Sequence, residues 1–309
     1  MENKLVVSTS PHIYARESST RIMWLVSLSL VPSGVAGVLI FGLKSLGIIL
    51  TCIISALFTE ALIQKLRGAT ITVFDGSALL SGLLLAYCLP PGVPLWLAAV
   101  GAFVAIAVGK QAFGGLGQNI FNPALIGRAF LLAAWPVHMT TWIMPRGRFD
   151  AVTGATPLAD SFQGLRLWDL LLGNRAGCIG EVHILALLAG ALFLLALGYI
   201  SWQIPFSFIA AVAIFTWAFG AESLFTGEWL FQIFSGGLIL GAFFMATDYV
   251  TSPLTNKGKI IFGFGCGLLT AVIRIWGGYP EGVCYAILIM NAATPLIDRH
   301  TKPRVFGTK

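Results

Sequence analysis

The stretch IMWLVSLSLVPSGVAGVLIF, residues 22–41, contains no charged side chain. As a helix, about 20 apolar residues match the thickness of the hydrocarbon core of a bilayer. A second stretch, SLGIILTCIISALFTEALIQ at 45–64, follows after a short connection, and Glu60 is its one charged residue. The two stretches predict two transmembrane helices joined by a tight turn.

Further apolar runs fill the rest of the chain. The candidate spans are 22–41, 45–64, 76–89, 95–110, 122–135, 182–200, 204–220, 229–246, 260–276 and 283–297. The third and fifth are short and are bounded by proline or glycine, as is typical of interrupted helices that line a cavity. The pattern predicts an all-α polytopic membrane protein with about ten transmembrane helices.

Composition supports the same class. Of the 309 residues, 57% are hydrophobic and 10% are charged, whereas a soluble domain is about 25% charged. This excludes a soluble enzyme with a single membrane anchor. The formal charge of +6 would point to nucleic acid in a soluble protein. Here it indicates basic residues kept on the cytoplasmic side, so we expect membrane lipid and no nucleic acid around the chain.

The distribution of lysine and arginine predicts the orientation. With a cytoplasmic N-terminus, twelve of these residues lie inside and six lie outside, four of them in one long loop, and Arg128 falls within the fifth span. Both termini are therefore expected in the cytoplasm. The predicted organisation is a cytoplasmic segment 1–21, a first five-helix half 22–135, an extracytoplasmic loop 136–181, a second half 182–297 and a cytoplasmic tail 298–309.

Five spans on each side of the loop require that any internal repeat be inverted. SGLLLAY at 81–87 resembles GGLILGA at 236–242, and both NPALIG at 122–127 and NAATPLID at 291–298 carry asparagine and proline. The expected architecture is two inverted five-helix repeats with interrupted helices. Transporters and channels share this plan, so the architecture alone does not choose a function.

The most informative polar stretch is DAVTGATPL at 150–158, in the predicted outer loop. Taken by spacing alone, it is an ordinary Gly/Thr/Pro turn. Such a turn is also exposed and accessible, as a site modified by another enzyme has to be.

The segment from Asp150 to Thr156 matches the pattern Asp-x-x-Thr-Gly-Ala-Thr, at which a flavin transferase attaches FMN. The chain as a whole resembles the family of D subunits of the Rnf complex, which is related to the B subunit of the sodium-pumping NADH:quinone reductase. That B subunit has a longer N-terminal region than the 21 residues found here. The other matching segments are SPH at 10–12, FDGSALLSGLLLAYCLPP at 74–91, GGLGQNIFNPALIGRAF at 114–130 and TDYVTSP at 247–253.

This resemblance implies FMN bound covalently to Thr156 through a phosphoester. The transferase would recognise Asp150, Thr153, Gly154 and Ala155, and the chain would have no catalytic residues of its own. It also implies one component of a respiratory complex that couples electron transfer between ferredoxin and NAD⁺ to Na⁺ or H⁺ translocation. The implied partners are the other components of the Rnf complex, namely the A and E membrane subunits, the G flavoprotein subunit and the B and C iron–sulfur subunits, together with the flavin transferase.

The resemblance further implies a location in the bacterial cytoplasmic (inner) membrane, with the flavin loop on the outer face. It allows a second, non-covalent flavin such as riboflavin. Ionisable groups at membrane depth are functional candidates, and Asp75 and Asp248 lie near the ends of the third and eighth spans. An ion path or a flavin pocket there would add the neutral oxygens of Ser77, Thr247 and Thr251; alternatively, each aspartate caps a helix.

Arg128 is costly within a span unless it is paired. It either balances a flavin or forms a structural ion pair with a buried carboxylate such as Glu60. We expect Asn122 and Pro123 to cap the fifth helix, and GFGCG at 263–267 to serve helix packing. No metal site is predicted, because the five cysteines and four histidines show no ligand spacing. Four of the cysteines are expected in packing, and Trp135, Trp142 and Trp168 are expected at the membrane interface.

Two other functions remain open at this stage. One is a free-standing channel or carrier for a small solute such as urea or ammonium. The other is a membrane scaffold in which the flavin motif is vestigial. The motif discriminates against the channel, because a solute channel has no need of an outward flavin acceptor.

Overall fold

A computed structural model describes residues 17–145, 153–154, 158, 167–220, 224–277 and 281–302. Five helices form the first half: α1 (Ser19–Phe41), α2 (Leu43–Leu66), α3 (Ser77–Tyr87), α4 (Leu95–Ala107) and α5 (Pro123–Ala134). Short 3-10 turns, Val73–Asp75 and Gln111–Phe113, precede α3 and follow α4. The Asn122 side chain accepts from the backbone N–H groups of Ala124 and Leu125, which confirms the predicted cap of α5.

The second half follows a connecting region that contains two short helices and one small ladder. The elements are α6 (Pro136–Thr140), β1 (Trp142–Ile143), β2 (Thr153–Gly154), α7 (Leu167–Leu172), α8 (Ile184–Ala196), α9 (Gln203–Phe219), α10 (Trp229–Phe234), α11 (Leu238–Leu240), a π-helix (Gly241–Met245), α12 (Asn256–Trp276) and α13 (Val283–His300). Strands β1 and β2 pair antiparallel, with Trp142 opposite Gly154. Among the residues that the structure describes, β1 and β2 are the only strands, and all other regular elements are helical.

Four helical segments are long and apolar enough to cross a bilayer: Ser19–Phe41, Leu43–Leu66, Leu95–Phe113 and Asn256–Trp276. Helices α3, α5, α8 and α9 are shorter and also apolar. The protein is therefore a helical membrane protein. The ten membrane crossings and the inverted repeat remain predictions. The run 229–246 is not one continuous helix, because Gly236 adopts φ +65° between α10 and α11.

Small residues let the helices within each half pack closely. A Cβ on Gly82 of α3 would lie 2.8 Å from the Cys52 carbonyl oxygen of α2, and one on Gly267 of α12 would lie 2.5 Å from the Phe208 carbonyl oxygen of α9. Only glycine allows these backbones to approach so closely. The predicted packing role of GFGCG is confirmed.

Residues 175–182, the last part of the predicted outer loop, are buried between α1 and α3. Here they are called the buried segment. The backbone N–H groups of Ile179 and Gly180 donate to the carbonyl oxygens of Leu89 and Tyr87, and the Ser33 hydroxyl donates to the Gly180 carbonyl oxygen at 2.7 Å. The end of the loop is thus part of the protein core.

All five cysteines are buried and carry free thiols. Four of them confirm the predicted packing role, and Cys178 of the buried segment is enclosed as well. Trp168 is 68% exposed, but Trp142 is only 7% exposed. The prediction that Trp142 is an interfacial anchor is therefore wrong, because β1 turns its ring into the protein.

Candidate functional site

A buried ion pair lies within the first half. Lys110, just beyond α4, places its Nζ 2.6 Å from Glu60 Oε1 of α2, and both side chains are almost fully enclosed. The Gln111 and Gln64 amides donate to the same oxygen at 3.0 and 3.4 Å. An unpaired charge at this depth would be costly, and in this pair each charge has a partner of opposite sign. We refer to Glu60, Gln64, Ser77, Lys110 and Gln111 as the Glu60 cluster.

Ser77, the first residue of α3, connects this cluster to Asp75. Lys110 Nζ donates to Ser77 Oγ at 2.5 Å, and that hydroxyl donates to Asp75 Oδ1 at 2.5 Å. The Ser77 backbone N–H donates to the same carboxylate oxygen at 2.8 Å. Asp75 therefore accepts from the first backbone N–H of α3, while the cap position itself is Gly76 and has no side-chain hydrogen bond.

A cavity between the halves borders the Glu60 cluster. Its volume is about 80 Å³, and it is partly open to the surroundings. The first half contributes polar groups from Ser77 and Lys110, and the second half contributes Thr247 and Asp248. Amide and aromatic side chains also line the cavity, namely those of Asn119, Asn122, Tyr199, Phe243, Phe244 and Tyr249. The wall thus combines aromatic rings with amide, ammonium and carboxylate groups.

Asp248 faces this cavity just after the π-helix. Its Oδ2 accepts from the Thr251 hydroxyl at 3.3 Å, and its Oδ1 accepts from the Val250 backbone N–H at 3.4 Å. Burial raises the pKa of the Asp248 carboxyl, and these two hydrogen bonds oppose that change. The Thr247 hydroxyl donates back to the Phe243 carbonyl oxygen of its own helix.

The structure gathers most of the predicted polar candidates. Ser77, Thr247 and Asp248 line the cavity, while Asp75 and Thr251 bond to residues that line it. Arg128 lies elsewhere, beyond the opposite end of α3.

Arg128 of α5 forms a buried ion pair with Glu281, which lies just before α13. The suggested partner Glu60 is therefore wrong, because Lys110 occupies that carboxylate and Glu281 comes from the other half of the chain. An Arg128 nitrogen also lies 4.0 Å from Cys178 Sγ, which donates to the Cys88 carbonyl oxygen at 3.1 Å. The structural ion pair is the alternative that the geometry confirms.

The buried segment contributes further charges to this region. Glu181 Oε1 accepts from the Cys178 backbone N–H at 3.0 Å, and Arg175 donates to the Glu181 carbonyl oxygen at 3.1 Å. We refer to Arg128, Arg175, Cys178, Glu181 and Glu281 as the Arg128 cluster.

Ligand atoms of Cys178, Glu181 and Glu281 lie within 4.8 Å of one another, which is close enough for a metal ion. Arg128 already binds Glu281, and Arg175 lies beside Glu181. Arg274 also interacts electrostatically with Glu181, so a divalent cation would be added beside three guanidinium groups. The donor set does not favour a metal centre.

The described part of the predicted flavin-attachment motif lies next to the Arg128 cluster. Thr153 and Gly154 form β2, which pairs with β1, and Trp142 of β1 lines a small cavity together with Arg128 and Glu281. Asp150, Ala155 and Thr156 lie outside the described residues. The chain thus brings the middle of the motif to the surface of this cluster.

Comparison with known proteins places the whole chain in one family. The model of the NQR2, RnfD, RnfE family matches residues 6–307. The chain belongs to this family.

Curated members of the NQR2/RnfD/RnfE family match along the full length. The chain is 51% identical to the D subunit of the proton-translocating ferredoxin:NAD(+) oxidoreductase complex of Clostridium ljungdahlii, covering 100% of this chain and 98% of the relative. It is 49% identical to the D subunit of the Na(+)-translocating complex of Acetobacterium woodii, covering 99% and 96%. It is 42% identical to the D subunit of the ion-translocating oxidoreductase complex of Stutzerimonas stutzeri, covering 94% and 93%.

Sequence reasoning missed Lys110 and Glu281 as partners. A signal for the first pair was present, since Glu60 and Lys110 are charges within or at the end of apolar runs on the same predicted side. A charge in such a position requires a partner. No comparable signal marks Glu281, because it lies 153 positions from Arg128 in a short connection.

Proposed function

We propose that this member of the NQR2/RnfD/RnfE family is the D subunit of an ion-translocating ferredoxin:NAD⁺ oxidoreductase complex. It would couple electron transfer between ferredoxin and NAD⁺ to Na⁺ or H⁺ translocation. The observation that carries the proposal is the full-length identity to the D subunits of two such complexes. One of these relatives is named for protons and the other for Na⁺, so their names leave the coupling ion open.

Covalent FMN on Thr156 is the second part of the proposal. The isoalloxazine ring would carry the electrons, while the protein supplies position and electrostatics. The Asp-x-x-Thr-Gly-Ala-Thr motif supports it. The pairing of Thr153 and Gly154 with the strand of Trp142 also supports it, because an aromatic ring and the Arg128 cation then lie close to the motif. Thr156 is an anchor and takes no part in turnover.

The test is ultraviolet fluorescence of the full chain on a denaturing gel after coexpression with a flavin transferase. Mass spectrometry of the peptide 150–158 accompanies it. We expect a fluorescent band with FMN esterified to Thr156, and loss of the label in Thr156→Ala. Thr141→Ala, a threonine outside the motif, is the matched control and should label normally.

Normal labelling of Thr156→Ala would overturn the anchor assignment. A dark band from the unchanged, properly coexpressed chain would favour a solute channel or a scaffold with a vestigial motif. Uptake of urea and ammonium into vesicles would then separate those two functions.

The cavity between the halves is proposed as the ion path or as the site of a second, non-covalent flavin such as riboflavin. Flat aromatic side chains support the flavin, since they suit a planar ring, while the amide groups of Asn119 and Asn122 suit its polar edge. Oxygen atoms of Ser77, Thr247 and Asp248 support a cation. Asp248→Asn is expected to lower ion-coupled transport more than flavin reduction, and equal loss of both would indicate a structural role.

The remaining parts of the proposal are the partners and the orientation. The partners would be the A and E membrane subunits, the G flavoprotein subunit and the B and C iron–sulfur subunits. Both termini would lie in the cytoplasm and the loop 136–181 outside the inner membrane, around two inverted five-helix repeats. Reporter fusions after residue 302 and within the loop test the orientation, and activity of both fusions on the same side would contradict it.

A further inference from the structure

Four polar groups of the first half form a continuous line of hydrogen bonds. Asp75 Oδ1 accepts from the Ser77 hydroxyl at 2.5 Å, and Ser77 Oγ accepts from Lys110 Nζ at 2.5 Å. Lys110 Nζ lies 2.6 Å from Glu60 Oε1. All three distances are at the short end of the range for hydrogen bonds.

The two ends of this line lie in different surroundings. Asp75 is half-buried and follows Phe74, which is 87% exposed. Glu60 is 1% exposed, and its second oxygen, Oε2, has no partner among the described residues. The line therefore leads from the surface to an enclosed carboxylate with a free oxygen atom.

Each intermediate group can both give and receive a proton. A hydroxyl is a donor and an acceptor at once, and an ammonium becomes an acceptor when it has released one proton. Lys110 uses two of its three N–H groups on Glu60 and Ser77, and no described group accepts from the third. Because Lys110 also lines the cavity, this N–H is available on the side of the cavity.

The same geometry is unfavourable for Na⁺ at Glu60. The Lys110 ammonium already neutralises the carboxylate, and a second cation beside it would be repelled. The amides of Gln64 and Gln111 point donors, not oxygen ligands, at Oε1. The other charged groups nearby are Arg67, which donates to the Gln111 carbonyl oxygen, and Asp248 across the cavity.

We propose that Asp75, Ser77, Lys110 and Glu60 form a proton-transfer relay between the surface and the buried Glu60 carboxyl, from which Lys110 excludes Na⁺. Along the donors of these hydrogen bonds, Lys110 Nζ gives a proton to Ser77 Oγ while the Ser77 hydroxyl proton passes to Asp75, and a protonated Glu60 then restores the Lys110 ammonium. Proton uptake by Glu60 is the reverse of this sequence. In uptake, one O–H bond breaks at Asp75 and one forms at Glu60, while Ser77 and Lys110 end unchanged. The relay deepens the proposed function by naming groups for proton transfer, yet it does not depend on the Thr156 flavin.

Infrared difference spectroscopy of the full-length chain in lipid bilayers tests the relay. After a jump to acidic pH, we expect the C=O stretching band of a protonated, buried carboxylic acid, sensitive to deuterium exchange. Comparison with Glu60→Gln/Lys110→Met assigns the band to Glu60, because this double variant removes both charges and leaves neither unpaired. Replacing potassium by sodium at constant ionic strength should leave the band unchanged.

Three variants of single hydroxyl groups test the route. Ser77→Ala should slow the appearance of the Glu60 band by on the order of 100-fold, since a positioned acid–base group contributes an effect of this size. Ser77→Thr keeps a hydroxyl and should restore the rate. Ser55→Ala, which removes a hydroxyl bonded to the Ala99 carbonyl oxygen of the same bundle, is the matched control.

An unchanged rate in Ser77→Ala would overturn the relay, as would the absence of a Glu60 band over the full range of stable pH. Suppression of the band by sodium alone would overturn the exclusion of Na⁺. None of these outcomes affects flavin attachment, so a failure here is distinguishable from a failure of the proposed function.

Discussion

The Glu60 cluster and the Arg128 cluster are both built on a buried ion pair, but they differ in what they connect. They lie at opposite ends of α3, whose eleven residues span about 16 Å. The charged groups of the Glu60 cluster all come from the first half, and Lys110 faces a cavity. The Arg128 cluster joins the first half, the buried segment and the second half.

The basic side chain of each ion pair, lysine in one cluster and arginine in the other, agrees with this difference. A guanidinium stays charged under all ordinary conditions, whereas an ammonium can exchange a proton with its partner. Arginine therefore suits a permanent connection between the halves, and lysine suits a group beside a cavity whose charge is able to change. In the proposed relay, this kind of pair would serve proton transfer at one end of α3, while at the other end it connects the two halves.

Removal of Glu281 should have the largest effect on stability. Glu281→Gln leaves the Arg128 guanidinium charged and enclosed, so we expect the free energy of unfolding to fall by about 3–5 kcal/mol. Denaturant unfolding of the full chain in detergent, followed by tryptophan fluorescence, measures it. The control Glu17→Gln breaks an exposed pair with Arg21 and should cost less than about 1 kcal/mol. Equal losses would contradict an assembly role for the Arg128 cluster.

The substitution Gly180→Ala adds a methyl group that should separate the buried segment from Tyr87. A Cβ there would lie 2.2 Å from the Tyr87 ring, and overpacking of this kind costs as much as ~3 kcal/mol. Thermal unfolding and increased thiol labelling of Cys178 would report it. The matched control is Gly47→Ala in α2, where a Cβ meets only Leu95 at 3.6 Å. That variant should be neutral or slightly stabilising. Similar losses of stability in both variants would exclude a specific steric clash at Gly180.

Loss of Lys110 should cost less than loss of Glu281. In Lys110→Met the Glu60 carboxylate keeps the amide donors of Gln64 and Gln111 and is able to take up a proton. We expect a loss of about 2 kcal/mol by denaturant unfolding. Lys110→Met/Glu60→Leu should recover part of it. A single-variant loss as large as that of Glu281→Gln would remove the distinction between the two clusters.

The smallest effect is expected for the Tyr87 hydroxyl, which lies at the same end of α3 as the Arg128 cluster and donates to the Leu30 carbonyl oxygen at 2.8 Å. Tyr87→Phe removes one buried hydrogen bond and should cost about 1 kcal/mol in thermal unfolding. Tyr249→Phe removes an exposed hydrogen bond to the Tyr199 carbonyl oxygen, which water can replace, and should change stability by less than about 0.5 kcal/mol. A larger loss of stability in Tyr249→Phe than in Tyr87→Phe would show that exposure does not determine the cost of removing a hydroxyl group in this protein.

Local pattern was enough for the helices and for individual caps. Apolar runs predicted α1 and α2 to within a few residues, and the Asn122–Pro123 pair predicted the start of α5. These features depend on neighbours in sequence, so they are visible without the fold. The break in the run 229–246 falls at Ser235–Gly236–Gly237, and this pair of glycines was a signal that the continuous candidate span did not use.

The candidate site was predictable only in part. Asp75, Ser77, Thr247 and Asp248 were recognised as polar groups at helix ends, and the fold brings them to one cavity. The partner of Arg128 was not predictable, since Glu281 is far away in sequence. Glu60 and Lys110 carried an unused signal, because both are charges in apolar runs on the same predicted side. The buried segment was also missed, because hydrogen bonds to the Tyr87 and Leu89 carbonyl groups depend on backbone position and leave no trace in residue type.

The buried segment also has a consequence for biogenesis. Its Gly180 accepts a hydrogen bond from Ser33 across 147 positions and lies against the Tyr87 ring. A nascent chain that ends at residue 135 contains all five helices of the first half but lacks the residues that fill the space between α1 and α3. Since domains fold as the ribosome supplies them, the first half reaches its final packing only after residue 182 has been synthesised. The connection between the halves is thus fixed, at its end nearest α8, in the same step that completes the core of the first half.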